Sequence, residues 1–468
     1  MMRRLKWTLI FLLCPSVVWT AEVRTLSLQE AVQIALERNR SLKVARSRVE
    51  AREYGVKEAR SAFMPHLTVG ASYTRLDERP YVAPPGFERM FEPLMAPFAD
   101  LVTGGYLNPT TLAGLSGMRI DRIYMGLEDN YDINLSLQQP LFTGGTTLNA
   151  YRIARFAADA EKWNYRRDEH QVRYEVTEAF LNLVTARELR SVTEESIARA
   201  QAHFTDLENL YAKGIVIERD LLRAQVNLSN ARLLNLRAQN GVKLATSHLC
   251  HLLSFDLDTD IVPEEIPDPS PLSEQTLETY TAYALEKRPE MKATEADLAA
   301  AGRLISIRKG EYLPKLFLIG NYDWKRPNRE IEPEFYDTWS VALALQLELF
   351  HGGAKRFRLQ QAKLSRSQIE EGRQMLADAI ALEVKQAHLA IEEAREALTI
   401  AGQATNQAEE SYRVARDNFK AGTATNTDVL DAQNDLTQAQ MQRVAAYADL
   451  LLAEARLARA TGKWENSP

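Results

Sequence analysis

Few side chains in this sequence could do chemistry. His248, Cys250 and His251 fall within four residues and have the types that hold zinc. A structural zinc site takes four ligands, and no fourth stands near them. The seven histidines are scattered over the whole chain. No phosphate-binding loop and no nucleophile motif occurs. These absences argue against an enzyme, a resident metal or a cofactor. The carboxylates are more informative. Gly214 is followed by Asp220-Leu221-Leu222-x-Ala224-Gln225, and Gly422 by Asp428-Val429-Leu430-Asp431-Ala432-Gln433. Glycine ends a helix by adopting the left-handed conformation. An aspartate a few residues on favours the positive end of the next helix, with Thr427 or Asn426 expected as its cap. Asp431 lies a turn inside, where capping explains it less well.

That motif belongs to a long duplication. Ala35-Leu36-Glu37-Arg38, Pro65 and Tyr73 recur as Ala284-Leu285-Glu286-Lys287, Pro314 and Tyr322, at an offset of 249. Leu141-Phe142-Thr143-Gly144-Gly145 recurs as Leu349-Phe350-His351-Gly352-Gly353 at an offset of 208, which then holds without a gap through Leu228 and Leu436. The chain is two copies of one unit. The first carries 41 extra residues, within the loop of about 79–130. Repeat partners also dispose of the apparent metal triad: they are Arg456, Ala458 and Arg459.

Each copy reads helix, strand, loop, strand, long helix, tight turn, long helix. Opening helices are expected from Leu28 to Phe63 and from Gln275 to Tyr312, ended by Pro65 and Pro314. Period-two alternation then predicts strands at about 66–76, 131–142, 315–324 and 338–350. In the fourth, Trp339, Val341, Leu343, Leu345, Leu347 and Leu349 oppose Ser340, Ala342, Ala344, Gln346 and Glu348. About 9–11 residues is the length of a tilted strand that crosses a bilayer. Aromatics mark both ends: Tyr131, Tyr322, Trp324 and Trp339 at the loop side, Phe142 and Phe350 at the other. Gly144, Gly145, Gly352 and Gly353 break the strands. Long helical hairpins follow at 146–253 and 354–461. The stretch Thr146 to Ala212 has no proline or glycine, enough for a helix on the order of 100 Å. A seam of alternating three and four runs through Val384, Ala387, Ile391, Ala394, Leu398, Ala401 and Thr405, and such seams mean coiled-coil packing. The returning helices are apolar at nine of ten seam sites, with Asn235 and Arg443 as the matched exceptions.

Residues 1–21 read as a secretory signal peptide, with Arg3, Arg4 and Lys6 before an apolar run. Cys14 keeps a lipoprotein reading open. Removing the leader takes three positive charges from a formal net of −6, leaving about −9 and arguing against nucleic acid. Only Cys250 then remains, so no intrachain disulfide can form. No later stretch is long and apolar enough for a transmembrane helix. The remaining boundaries are a first repeat over 22–255, a proline-rich connector over 256–274, a second repeat over 275–463 and a tail over 464–468.

Four strands cannot close a barrel, and open edges are not tolerated in lipid. The chain must therefore assemble. Two copies would give eight strands and a filled barrel; three would give twelve and a wet lumen. At this point the residues resemble the TolC-like outer membrane efflux proteins. The resemblance rests on the Ala-Leu-Glu opening, Pro65 and Pro314, the Leu-Phe-x-Gly-Gly blocks and the two tip motifs. It covers about Leu26 to Gly462. It implies a mainly α fold with transmembrane β: a homotrimer whose coiled-coil helices form a periplasmic α-barrel and whose strands form a 12-stranded outer-membrane β-barrel. It also implies a periplasmic adaptor, an inner-membrane pump and outer membrane lipid as partners, for efflux or type I secretion. Asp220, Asp428 and Asp431 match the family's gate carboxylates, and the tips at Gly214 and Gly422 its adaptor-docking surface. Phe419 and Ala424 depart from the family's tyrosine and arginine lock, with Arg219 or Arg416 as substitutes. The rival expectation is a periplasmic coiled-coil adaptor or scaffold.

Overall fold

The computed structural model describes residues 24–82, 123–264 and 275–464. The leader, Cys14, most of loop 79–130, the second half of the connector and the last four residues lie outside them. In chain order the elements are β1 (Arg24–Leu26), α1 (Leu28–Arg38), α2 (Arg40–Ser61), β2 (His66–Arg75), β3 (Tyr81–Val82), β4 (Ile123–Tyr124) and β5 (Asp129–Phe142). The first hairpin is α3 (Thr146–Ala212) and α4 (Glu218–Leu253), followed by β6 (Ile261–Pro263). The second copy supplies α5 (Leu277–Lys287), α6 (Pro289–Gly310), β7 (Lys315–Arg326), β8 (Tyr336–Gln346), α7 (Ala354–Lys420) and α8 (Asn426–Thr461). Among the described residues no helix is long and apolar enough to cross a membrane.

Two compact units result. One contains residues 24–54, the described part of 154–301, and 365–464. Its apolar side chains form two clusters that repeat each other. Val176, Leu183 and Leu249 of the first match Val384, Ile391 and Leu457 of the second, and Ala35 matches Ala284. All are at most 6% exposed. The seam residues Val384, Ala387, Ile391 and Ala394 are buried, as coiled-coil packing requires. Asn235 is buried among them because its amide is satisfied. It donates to Thr193 Oγ1 at 3.1 Å and accepts from Gln239 Nε2 at 2.7 Å.

Each expected opening helix is in fact two. The first breaks at Asn39, whose ψ is 129°. Its Nδ2 donates to the Leu252 carbonyl at the end of α4, and its Oδ1 accepts from the Ser41 amide. The second breaks at Arg288, which precedes Pro289 and is therefore pushed out of helical conformation. Arg288 Nη1 donates to the Ala460 carbonyl of α8 at 3.3 Å, the repeat equivalent of Leu252. Glu290 and Glu383 flank the guanidinium.

The second unit contains residues 55–82, 123–153 and 302–364. Its sheet is antiparallel in the order β2-β5-β7-β8. Leu67 pairs with Leu137, Leu137 with Gly320, and Leu316 with Leu345. Period two then separates two faces. Val69, Leu135, Tyr322, Trp339 and Leu345 share one face and are exposed, Trp339 by 75% and Leu345 by 69%. The other face carries Phe317 and Ile319 but is polar and cross-linked nearer the loops: Asn134 Nδ2 donates to Asp323 Oδ1 at 2.6 Å, and Ser136 Oγ to Asn321 Oδ1 at 2.8 Å. At the loop end Tyr73 packs on Tyr131, and Phe335 on Trp324.

The fourth strand stops at Gln346, short of the expected 350. Its neighbour explains the loss. Gln346 pairs with Lys315, the first residue of β7 after Pro314, so residues 347–350 have no strand beside them within the chain. Leu349 and Phe350 are 87% and 85% exposed.

Gly144 and Gly145 both have positive φ, at +64° and +78°. A Cβ on Gly144 would collide with the Gly310 carbonyl, whereas one on Gly145 meets only Asn149 Nδ2 at 3.6 Å. Gly145→Ala should therefore lose only the left-handed strain, about 1–2 kcal/mol. Gly144→Ala must also displace backbone and should lose more than about 3 kcal/mol. Thermal unfolding of the two purified variants measures the difference, and equal midpoints would sink this account.

Candidate functional site at the hairpin tips

Both hairpins turn on a glycine. Ile215 N donates to Leu210 O across the first turn and Thr423 N to Asn418 O across the second. Gly214 and Gly422 have φ of +73° and +77°. Nothing lies within 4 Å of a Cβ built at either position, so within the chain it is backbone conformation and not crowding that requires glycine.

The two turns then diverge. Helix α4 starts after Ile217, which supplies no side-chain cap, and Ile215 and Ile217 are exposed. Helix α8 starts with a complete capping box on Thr425, not on Asn426 or Thr427. Thr425 Oγ1 accepts from the Asp428 amide at 3.3 Å, and Asp428 Oδ2 accepts from the Thr425 amide at 2.7 Å. Hydrogen bonds from the Thr425 amide and hydroxyl hold the Asp428 carboxyl below its usual range. The expected caps fail because Asn426 is turned inward and Thr427 is already inside the helix, in contact with Arg223.

A polar ladder ties one hairpin to the other. Asn426 is 5% exposed, and its Nδ2 donates to the Asp220 carbonyl at 3.1 Å. That bond orients the amide, so Asn426 Oδ1 faces His203 Nε2 at 2.7 Å and the imidazole carries its proton on Nε2. Phe419 stands edge-on to the same imidazole, with ring centroids 5.5 Å apart. Further from the tip, Gln433 is 3% exposed and fully used. It donates to the Arg199 carbonyl and the Tyr412 hydroxyl and accepts from Asn227 Nδ2. Arg199 Nη2 reaches Gln440 Oε1 at 3.0 Å. Each bond joins elements more than 200 residues apart, except that to Tyr412.

The residues singled out from sequence are thus placed unequally. Asp220 enters the ladder through its backbone, while its carboxylate sits 3.9 Å from Arg219. Asp428 is engaged in its cap. Asp431 is exposed on α8. Within one chain Arg219 and Arg416 form no ion pair with the other hairpin among the described residues. Arg416 pairs with its neighbour Asp417 and lies over Tyr412, both on its own helix. At the tip Arg223 crosses to the other hairpin, donating to Thr427 Oγ1 at 2.9 Å, as Arg199 does further away. His203 and Arg199 carried no sequence signal, and Asn426 carried only that of a cap. Gln433 did, since Ala-Gln closes both tip motifs. His248 and His251 are exposed while Cys250 is buried, so the three do not converge. The Cys250 thiol donates to the Thr259 carbonyl, and burial pushes its pKa up. Among the described residues no group of three or more potential ligands could hold a metal ion.

Comparison with known proteins finds relatives along most of the chain. The outer membrane efflux protein family matches residues 31–81, 107–253 and 282–463. The outer membrane efflux protein BepC of Brucella suis is 24% identical over 71% of this chain and 72% of its own length. Protein CyaE of Bordetella pertussis is 24% identical over 96% of this chain and 88% of its own. The Campylobacter jejuni CmeC outer membrane channel superposes with a TM-score of 0.74 at 18% identity, covering 96% of this chain and 90% of that one.

Burial lowers the pKa of His203, against the opposing pull of Asn426 and Asp206. Below about pH 6.5 an unfolded imidazole takes up a proton that the buried one resists. The tip contact is therefore complete above that pH and is lost as pH falls through the lower folded value. Amide exchange at residues 419–428, corrected for intrinsic rates, should accelerate several-fold between pH 7 and pH 5. His203→Gln should abolish that dependence; the same acceleration in both proteins would remove His203 as its source.

Proposed function

The chain belongs to the outer membrane efflux protein family, and on that premise we propose that three copies close one twelve-stranded barrel and one helical tunnel. The protein is an outer-membrane channel, not an enzyme, with its helical part in the periplasm. Family membership sets aside the adaptor or scaffold reading. The trimer is supported by the two unpaired edges of the sheet, β2 and β8. Lipid tolerates neither.

The duplication gives a register for the missing pairing. Within the chain β5 pairs with β7, so the equivalent of β5, which is β8, should pair with the equivalent of β7, which is β2 of another copy. Leu137 opposite Gly320 then translates to Leu345 opposite Ala71. Pro140 opposite Phe317 and Phe142 opposite Leu316 translate to Glu348 opposite Thr68 and Phe350 opposite Leu67. Residues 347–350, which lack a partner within one chain, acquire one. This is the observation that carries the proposal. Directly opposed residues in an antiparallel pair stand about 4.5–5.5 Å apart, within reach of a disulfide. The variant Ala71→Cys/Leu345→Cys should oxidise in isolated outer membranes to a covalent trimer on a non-reducing gel, and each single variant should stay monomeric. A double variant that also stays monomeric defeats both register and assembly.

At the periplasmic end, Asp220, Asp428 and Asp431 from three chains form carboxylate rings around the closed tunnel, with the ladder from His203 to Asp220 holding each pair of hairpins shut. Such rings favour cations. An adaptor docks on the tips around Gly214 and Gly422, and an inner-membrane pump delivers the cargo and chooses it. Asp428→Ala/Asp431→Ala channels in planar bilayers should lose cation preference severalfold; an unchanged reversal potential refutes the ring.

A further inference from the structure

The strand ends differ in charge. Around the loop end, among the described residues of 75–82, 123–132 and 323–337, ten acidic side chains face five basic ones. Around the helix end the balance inverts. The helix and junction segments of the same unit, 55–65, 146–153, 302–314 and 347–364, hold ten lysines and arginines against three acidic residues. This concentration occurs in a chain whose formal net charge is −6.

Some of these cations serve the chain itself. Arg308 and Arg358 pair with Glu311, and Lys355 pairs with Glu348. Arg60, Arg152, Lys309, Arg356 and Lys363 take no ion-pair partner among the described residues, and all five are exposed. The duplication shows that part of this is built and not scattered. Arg60 and Lys309 are repeat equivalents, each the next-to-last residue of the helix that leads into a strand. Three residues nearer the strand stand Phe63 and Tyr312, also equivalents, exposed by 39% and 49%. Both copies thus place an aromatic beside the strand and a cation one helical turn below it. That sequence of chemistries is the one a bilayer presents in reverse: hydrocarbon, interface, then headgroup phosphate. Sheet residues above are apolar and exposed on one face, which fixes the direction.

We propose that this collar of unpaired lysines and arginines, with Phe63 and Tyr312 above it, binds the headgroups of anionic phospholipids in the periplasmic leaflet of the outer membrane. The inference rests on the barrel reading and adds a lipid to it. A basic side chain near an anionic surface is worth about a fivefold preference. Several per chain, repeated around a ring, make the anchor selective for phosphatidylglycerol over phosphatidylcholine. They also set the depth at which the strands sit, because a slide toward the hydrocarbon would bury charges.

The test compares wild type with Arg60→Gln/Lys309→Gln and with a variant that adds Arg152→Gln, Arg356→Gln and Lys363→Gln. Each is extracted in mild detergent, checked for the native mass of the wild type, and titrated with phosphatidylglycerol or phosphatidylcholine. Retained lipid is counted by native mass spectrometry, and single-channel reversal potentials are recorded. Wild type should retain phosphatidylglycerol roughly tenfold or more over phosphatidylcholine, the double variant less, and the five-site variant should not discriminate, all with unaltered reversal potential. A preference unchanged in the five-site variant overturns the collar. So does a shifted reversal potential with unchanged lipid retention, which would place the charges along the lumen. Failure of the barrel reading would appear separately, as loss of the native mass in wild type.

Discussion

An unpaired strand edge cannot stay in hydrocarbon, and much of this molecule follows from that. Each exposed N–H or C=O there costs several kcal/mol. A sheet of four strands has two such edges, and the chain does nothing to blunt them: β2 and β8 carry neither proline nor a bulge in their paired stretches. Soluble proteins blunt exposed edges. Here the edges are kept flat and register-true, which suits them to another copy of the same chain. The single irregularity, between Pro140 and Phe142, lies in β5, an interior strand at the point where it leaves the sheet for α3.

The duplication supplies the matching geometry in the helical unit. Two hairpins with equivalent cores bury the same seam positions, yet the copies have drifted wherever one residue could replace another in the same role. Asn39 and Arg288 are the clearest case. Both leave helical conformation at the same joint, and both satisfy the equivalent terminal carbonyl, of Leu252 or Ala460. One does so with a neutral amide and the other with a guanidinium that then requires Glu290 and Glu383. The carbonyl at a helix end is the constraint; the donor is free to vary.

This pattern explains how much was legible from sequence. Periodicity found the four strands and both hairpins because each is long and repeats twice. The break at Arg288 was readable from Pro289, and the one at Asn39 only by analogy with it. Alternation continues to Leu349, past the end of β8 at Gln346, because pairing within one chain stops where β7 begins. The tips were half-legible. Glycine and aspartate spacing located the turns and Asp428, but Thr425 as cap could not be separated from its neighbours by type. The ladder through His203, Asn426 and Gln433 joins positions over 200 residues apart, and no local pattern encodes such a meeting. Gln433 alone left a trace, in the repeated Ala-Gln.

The two tips also differ in how much hydrogen-bonding capacity they leave over. At Thr425 the start of α8 closes on itself: the hydroxyl, the Asp428 carboxylate and the amides of Thr425 and Asp428 satisfy one another. At Ile217 the first turn of α4 offers amide donors with no side chain to receive them, beside exposed isoleucines. The hairpins look like twins in outline, but one helix start carries a side-chain cap and the other does not. In the proposed trimer, capped and uncapped helix starts would alternate around the ring. A partner that caps the proposed trimer therefore meets a threefold surface, although its helices would trace a sixfold one.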